Sequence, residues 1–135
     1  MRAGGAALAM VAAGALMAAA APGVRGGYSA EQAREGAQVY AAQCAMCHGE
    51  RLEGSVEIPG LTGRFAANWA GRPVGDLVRY VENAMPQHAP GSLDPADARR
   101  VVAFVLERNG YAPGGELGDA AGMRRILPPP GAPRD

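Results

Sequence analysis

Apolar residues recur at helical spacing in three segments, and irregular segments separate them. The first segment predicts a helix from Ala30 to about Gln43. Ser29 precedes it and Gln32 follows three residues later, a pair typical of a capping box that closes the start of a helix. Ala33, Gly36, Ala37 and Tyr40 share one face of this helix.

The other two segments lie in the second half of the chain. One predicts a helix from about Val74 to Ala84, which ends before Pro86 because the residue preceding a proline disfavours helical geometry. The third begins at Asp94-Pro95, where Asp is a favourable cap and Pro a favourable first helical residue, and ends at Asn109-Gly110. No strand pattern or internal repeat is visible, so the sequence predicts an all-α domain.

The segments between these helices are long and rich in glycine and proline. The loop 50–72 carries three glycines besides Pro59-Gly60 and has no sustained periodicity. A loop of this length is unusual inside a compact domain, but it is reasonable if it wraps a large ligand. The tail from Tyr111 ends in a proline-rich run and is expected to be extended.

The first 21 residues differ from the rest of the chain. Arg2 is followed by an uncharged, Ala-rich stretch that ends in Ala19-Ala20-Ala21, the pattern of a cleaved secretory signal peptide. The alternative is an uncleaved membrane anchor, because the stretch is nearly long enough to span a bilayer. We therefore expect a signal peptide at 1–21, one domain at 22–117 and a proline-rich C-terminal extension at 118–135.

The charge balance excludes some classes of partner. Cleavage would remove Arg2 and leave a nearly neutral chain in which every remaining basic residue is arginine. Nucleic-acid binding needs a basic surface to neutralise phosphates, so we do not expect it. Strong long-range steering of a charged partner is not expected either. After signal cleavage, stable membrane insertion is not expected.

The sharpest motif is Cys44-Ala-Met-Cys47-His48, the C-x-x-C-H pattern of covalent haem attachment. Two thiols at this spacing can form thioethers with the two vinyl groups of the porphyrin, and the adjacent imidazole is then held near the iron. Two other interpretations exist. A thioredoxin-like C-x-x-C normally follows a strand, and a zinc finger needs a second pair of ligands at short spacing, whereas only His88 follows.

A haem iron held by His48 needs a sixth ligand or an open site. Met85 is the main candidate, because it stands where the second helix ends, just before a proline. His88 is the rival, and an open site is the third possibility. A metal-bound histidine normally donates its other N–H to a carbonyl, and Pro59, in a rigid downstream loop, is the expected acceptor.

Four segments together resemble class I monohaem cytochromes c: Cys44 to His48, Ile58 to Leu61, Asn83 to Pro86 and Val101 to Phe104. The resemblance implies a cytochrome c fold with three main helices and long loops around one covalent haem. In that fold the first helix crosses the last through a small-residue contact, here Gly36, with Phe104 as the facing aromatic. It also implies a periplasmic electron carrier, not an enzyme; a haem enzyme or gas sensor with an open sixth iron site is the alternative.

A narrower likeness runs from Phe65 and Trp69 through Met85-Pro86 to Pro90-Gly91-Ser92-Leu93. These residues resemble cytochromes that accompany quinoprotein (PQQ) alcohol and sugar dehydrogenases, and similar segments occur in haem subunits of sulfite dehydrogenases. The likeness implies a dehydrogenase as electron donor and an oxidase or another cytochrome as acceptor. It also implies that Trp69 lies near the haem propionates, although ordinary packing is an equally good reason for a tryptophan there.

Overall fold

The computed structural model describes residues 25–129, and almost all of its regular structure is helical. The expected signal peptide at 1–21 lies outside the described residues. The elements are α1 (Ala30–Gln43), α2 (Ala45–His48), α3 (Arg64–Trp69), α4 (Val74–Ala84), α5 (Pro95–Arg108) and α6 (Ala120–Arg124). The fold is the all-α cytochrome c type, and α1, α4 and α5 are the three helices that the periodicity predicts. Within residues 25–129, no helix is long and apolar enough to cross a membrane.

The crossing of α1 and α5 organises the fold. At Gly36 the helices approach so closely that a Cβ atom would overlap the carbonyl group of Arg100. One turn later the rings of Tyr40 and Phe104 pack with their centroids 5.2 Å apart. Arg100 also donates a 2.7 Å hydrogen bond to Glu35 across the crossing. The expected contact between the first and last main helices is therefore confirmed, with Phe104 as the facing aromatic.

Local signals explain where these helices begin. Ser29 accepts a bond from the Gln32 backbone while the Gln32 side chain accepts one from the Ser29 backbone, which completes the capping box. Asp94 accepts from the backbone N–H of Ala96, and Pro95 is the first residue of α5. Helix α4 has no such cap, and it is held by burial of its apolar face, which includes Leu77 and Val78.

From Tyr111 to residue 129 the segment after α5 packs on the helices, although the sequence predicts an extended tail; its last residues, 130–135, lie outside the described residues. It contains the short helix α6, and Leu127 is buried in the core. The Leu127 N–H donates to the Arg72 carbonyl at 3.0 Å, and the Gly71 N–H donates to the Leu127 carbonyl at 2.8 Å. These backbone bonds join the tail to the connection between α3 and α4. The boundary between a domain and an extension after residue 117 stays a prediction.

A buried glutamine attaches the same segment to α1. The Gln32 side chain donates to the Leu117 carbonyl at 2.6 Å and accepts from the Leu117 N–H at 2.9 Å. A side-chain amide with both groups paired costs little to bury, because neither its donor nor its acceptor is left without a partner. The tail is thus fixed at α1 and at the start of α4, the helix that leads to Met85.

Candidate haem site

Helix α2 places the three residues of the attachment motif on one face. The Cys47 and His48 N–H groups both bond to the Cys44 carbonyl, at 3.1 and 2.9 Å, so the motif forms one helical turn. Residues three and four positions apart share a face of such a turn. Cys44, Cys47 and His48 therefore project in similar directions, whereas Met46 is 89% exposed.

The pKa of the Cys44 thiol is unlike that of the nucleophile in a redox-active pair. Both cysteines are free, and burial together with the neighbouring Cys47 raises the pKa of Cys44 to about 11. A thiol–disulfide catalyst needs a depressed thiol pKa, because the thiolate is its nucleophile. The motif also follows helix α1 instead of a strand. Both observations weigh against the thioredoxin-like interpretation and agree with thiols that become thioethers.

The imidazole of His48 is oriented by a backbone carbonyl. Its Nδ1 atom lies 3.0 Å from the carbonyl oxygen of Pro59. Because a carbonyl only accepts, Nδ1 carries the proton in this contact, and the lone pair of Nε2 is left for a metal. The contact between His48 and Pro59 that the sequence analysis expects is present, and its role beside a haem iron stays a prediction.

A tight loop supports the Pro59 carbonyl. The Gly54 N–H donates to the His48 carbonyl at 2.7 Å, and the Leu61 N–H donates to the Leu52 carbonyl at 2.8 Å. At the end of α5, the Asn109 side chain donates to the Leu61 carbonyl at 2.8 Å. From the sequence Asn109 is predicted only to end a helix, because Asn-Gly after a helix is common and nothing in the sequence indicates a bond to a loop 48 residues away.

Met85 lies at the C-terminal boundary of α4, as the sequence predicts. Its N–H still bonds to the Val81 carbonyl at 3.1 Å, but its backbone is extended, so the chain leaves the helix at this residue. The side chain is partly exposed, whereas His88 is fully on the surface of the following turn. A partly exposed thioether at a helix end is free to turn toward a ligand, and the role of Met85 as an iron ligand stays a prediction.

Trp69 ends α3 and packs against α4. Its ring lies 6.4 Å from that of Phe65 and 5.7 Å from that of Tyr80, and the Arg72 guanidinium lies 4.4 Å from its centre. An open cavity of about 550 Å³ adjoins it, lined by Trp69, Arg72, Asp76, Arg79, Tyr80, Asn83 and Ala84. The packing interpretation of Trp69 is thus supported, and contact with haem propionates stays a prediction.

The chemistry of these residues fits a covalent haem better than a bare metal ion. Among residues 25–129, no three His, Cys, Asp or Glu side chains are grouped closely enough to hold a metal. This argues against the zinc interpretation. What the site provides is two free thiols and one imidazole on a single helical turn, with the second ring nitrogen of that imidazole already bonded. That donor set is the one a C-x-x-C-H haem attachment requires.

Comparison with known proteins agrees with this chemistry. The chain is 33% identical over 78 residues to thiosulfate dehydrogenase of Stutzerimonas stutzeri (strain A1501). This alignment covers 53% of this chain and 25% of that protein. It is also similar to the crystal structure of the sulfane dehydrogenase SoxCD from Paracoccus pantotrophus. In that comparison the TM-score is 0.57 and the identity 25%, over 84% of this chain and 62% of the other. The chain thus spans about a quarter of the first relative.

A protein family described as cytochrome c oxidase, cbb3-type, subunit III matches residues 31–105, which is more than half of the chain. The matched region contains the attachment motif, the Pro59 loop and Met85. Members of this cytochrome c family bind haem covalently and use it for electron transfer. The chain belongs to this family of c-type cytochromes, and its cofactor is a covalently bound haem c.

Proposed function

We propose that the protein carries single electrons between two redox proteins, on a haem c attached to Cys44 and Cys47 and ligated by His48 and Met85. The observation that carries this proposal is the helical turn on which both thiols and the imidazole stand three and four positions apart, with His48 Nδ1 bonded to the Pro59 carbonyl. When bound, the haem iron takes up and releases one electron.

In this proposal each residue has a separate task. The two cysteines fix the ring, so that haem is not lost in a compartment where it cannot be recaptured. The Pro59 carbonyl orients His48 and increases its basicity as a ligand. Met85 would be the second protein ligand of the iron, and its thioether would favour the reduced state relative to a second histidine. With His48 and Met85 both holding the iron, a substrate would find no free coordination position, so the protein itself would make and break no substrate bond.

The intact mass of the purified protein tests the attachment. Under denaturing conditions we expect a mass equal to the polypeptide that begins near residue 22 plus one haem, because thioethers survive unfolding. A Cys44→Ser, Cys47→Ser double variant should have the bare polypeptide mass under the same conditions. A bare mass for the natural sequence would contradict covalent attachment, and a mass that includes residues 1–21 would favour the anchor over the signal peptide.

We further propose that the chain acts in the periplasm, with a signal peptide at 1–21, a cytochrome domain at 22–117 and a C-terminal extension at 118–135. The support is the uncharged N-terminal stretch of the sequence and the export that c-type haem attachment requires. The packing of Leu127 in the core suggests that the extension contributes to the stability of the domain.

For the electron donor, we propose a dehydrogenase that oxidises a sulfur compound. The support is that one of the two similar proteins is a thiosulfate dehydrogenase and the other a sulfane dehydrogenase. The likeness to cytochromes of quinoprotein dehydrogenases makes such an enzyme the second candidate, and the comparisons add no support for it. The acceptor would be an oxidase or another cytochrome.

A second function is a haem enzyme or gas sensor with an open sixth iron site. It is favoured by the names of the relatives, both of which are dehydrogenases. The ferric absorption spectrum separates the two. A weak band at the near-infrared edge, from charge transfer between methionine sulfur and iron, supports the carrier. A high-spin spectrum that changes on addition of a small ligand would support the enzyme or sensor.

The salt dependence of electron transfer tests how the carrier docks. The sequence has no lysine, its formal net charge is zero, and at least six arginines lie in ion pairs, such as Arg72 and Arg79 with Asp76. Little net charge is therefore available for long-range steering. From low to physiological salt we expect the rate of reduction by the dehydrogenase to fall less than about threefold, whereas steered encounters change by tenfold or more.

Stopped-flow mixing with each candidate dehydrogenase makes this measurement. Reduction by the sulfur-compound enzyme and not by the quinoprotein enzyme is the expected result. Reduction by the quinoprotein enzyme alone would reverse the order of the two donors. If transfer is fast but its rate falls steeply as salt is added, the donor assignment stands. The result would then contradict docking that depends little on charge.

A further inference from the structure

The side chain of Asn109 connects the end of α5 to the loop that orients His48. Its Nδ2 atom lies 2.8 Å from the Leu61 carbonyl oxygen and 2.8 Å from the Val105 carbonyl oxygen. The second bond is local, since it closes the last turn of the helix. The first joins residues 48 positions apart, and a helix end does not require it.

The loop that receives this bond has little freedom. The Ser55 N–H donates to the Ile58 carbonyl at 2.8 Å, which closes a turn directly before Pro59. Gly54 has φ +69°, and a Cβ there would overlap the Ile58 carbonyl and the Gly60 nitrogen. The two sides of the loop are therefore in direct backbone contact. Gly60, the one residue between Pro59 and Leu61, lies against the opposite side of the loop, because a Cβ there would come within 2.9 Å of the Glu53 carbonyl oxygen. A displacement at Leu61 is therefore transmitted to Pro59.

Pro59 makes this transmission stronger. Its ring fixes φ near −65°, so ψ is the one soft dihedral left to set the direction of its carbonyl, and the position of the next residues determines it. That carbonyl accepts the bond from His48 Nδ1 at 3.0 Å. A well-directed acceptor at this nitrogen makes the imidazole a more electron-donating ligand, which stabilises oxidised iron.

We propose that Asn109 is a positioning residue for the iron ligand His48. By holding the Leu61 carbonyl, it keeps the Pro59 carbonyl directed at His48 Nδ1 and so keeps the reduction potential of the haem below the value that a relaxed loop would allow. This inference rests on the proposed function in one respect, namely that His48 ligates the iron.

Two variants separate the loop bond from the helix bond. Asn109→Leu has similar size and removes both bonds. Asn109→Ser keeps a hydroxyl that can bond the Val105 carbonyl four residues back, but it is too short to reach Leu61 as well. Gly36→Ala is the control, because a Cβ there disturbs the crossing of α1 and α5 and lowers stability without touching the His48 loop.

Two properties of the haem-loaded protein are measured: the reduction potential by redox titration, and the exchange of the His48 Nδ1 proton with D₂O by NMR. Both Asn109 variants should raise the potential. Both should also accelerate the exchange by about tenfold, which is what weakening one hydrogen bond produces. Gly36→Ala should lower the melting temperature and leave both properties unchanged. Should Asn109→Leu fail to fold, Asn109→Ser alone decides.

Three results would overturn the inference. Potential and exchange in the Asn109 variants could equal those of the natural sequence, in which case Asn109 only ends α5. Asn109→Ser could behave like the natural sequence while Asn109→Leu does not, which would assign the effect to the Val105 bond. Gly36→Ala could shift both properties by as much as the Asn109 variants do, and the effect would then be one of general destabilisation. The spectrum of the natural protein is recorded before that of any variant. If it is not the low-spin spectrum of an iron with histidine and methionine ligands, the proposed function is contradicted independently of Asn109.

Discussion

Replacing Met85 with alanine is expected to convert the iron from low-spin to high-spin and to lower its reduction potential by about 100–200 mV, within the roughly 0.8 V range that axial ligands cover. Met85 stands where α4 ends and its side chain is partly exposed, so the alanine variant should fold normally. The thioether favours ferrous iron, and its loss leaves a position that water can enter. Absorption spectra and redox titration measure both effects.

His88→Ala is the matched variant, because His88 is the other candidate ligand and lies only three residues away on an exposed turn. We expect it to keep the low-spin spectrum and a potential near that of the natural sequence. The opposite pair of results, with a high-spin iron in the His88 variant and a low-spin iron in the Met85 variant, would exchange the two assignments. A high-spin iron in the unaltered protein would favour an open site instead.

Gly36→Val should be the most destabilising change away from the haem site. A Cβ at this position already overlaps the Arg100 carbonyl, and Val adds two methyl groups between helices that the Tyr40–Phe104 contact holds together. Overpacking of this kind costs about 1–3 kcal/mol. In a domain of this size each kcal/mol lowers the melting temperature by about 4–8 °C. Thermal unfolding followed by circular dichroism gives the shift.

Ala41→Val is the control for this measurement, because it places the same β-branched side chain on the exposed side of α1. Surface substitutions of this kind usually change stability by less than about 0.5 kcal/mol. Equal melting temperatures for the Gly36 and Ala41 variants would mean that α1 and α5 separate without cost, which the observed crossing does not allow.

The three long helices were predictable because their signals are local. Ser29 with Gln32 marks the start of α1, and Asp94 with Pro95 marks the start of α5. The attachment motif and the Pro59 acceptor were predictable for a similar reason, since each depends on residue types within a short stretch of chain. The close contact at Gly36 was predictable through the resemblance to class I cytochromes c, in which the first helix crosses the last at a small residue.

Other features depend on contacts that no local pattern encodes. Helix α3 begins after Gly63, which has φ +62° and provides no side-chain cap, and it is held by Trp69 against Tyr80. The sequence predicts an extended tail because the tail is rich in proline. In the structure, however, Leu127 forms backbone bonds with Gly71 and Arg72, just before α4, and these hold the tail in place. The bond from Asn109 to Leu61 has the same character, because a common helix-ending residue acquires its partner only when the chain folds.

The two ends of the described residues meet around Tyr111. The Tyr28 hydroxyl donates to the Tyr111 carbonyl at 2.5 Å, and the Tyr111 hydroxyl donates to the Pro128 carbonyl at 2.8 Å. Gly27 also lies directly against Arg125, since a Cβ there would come within 3.1 Å of its side chain, although almost a hundred positions separate the two residues in the chain. A unit with this geometry can be inserted into a surface loop of a larger polypeptide, or joined end to end and reopened elsewhere, without stretching its core.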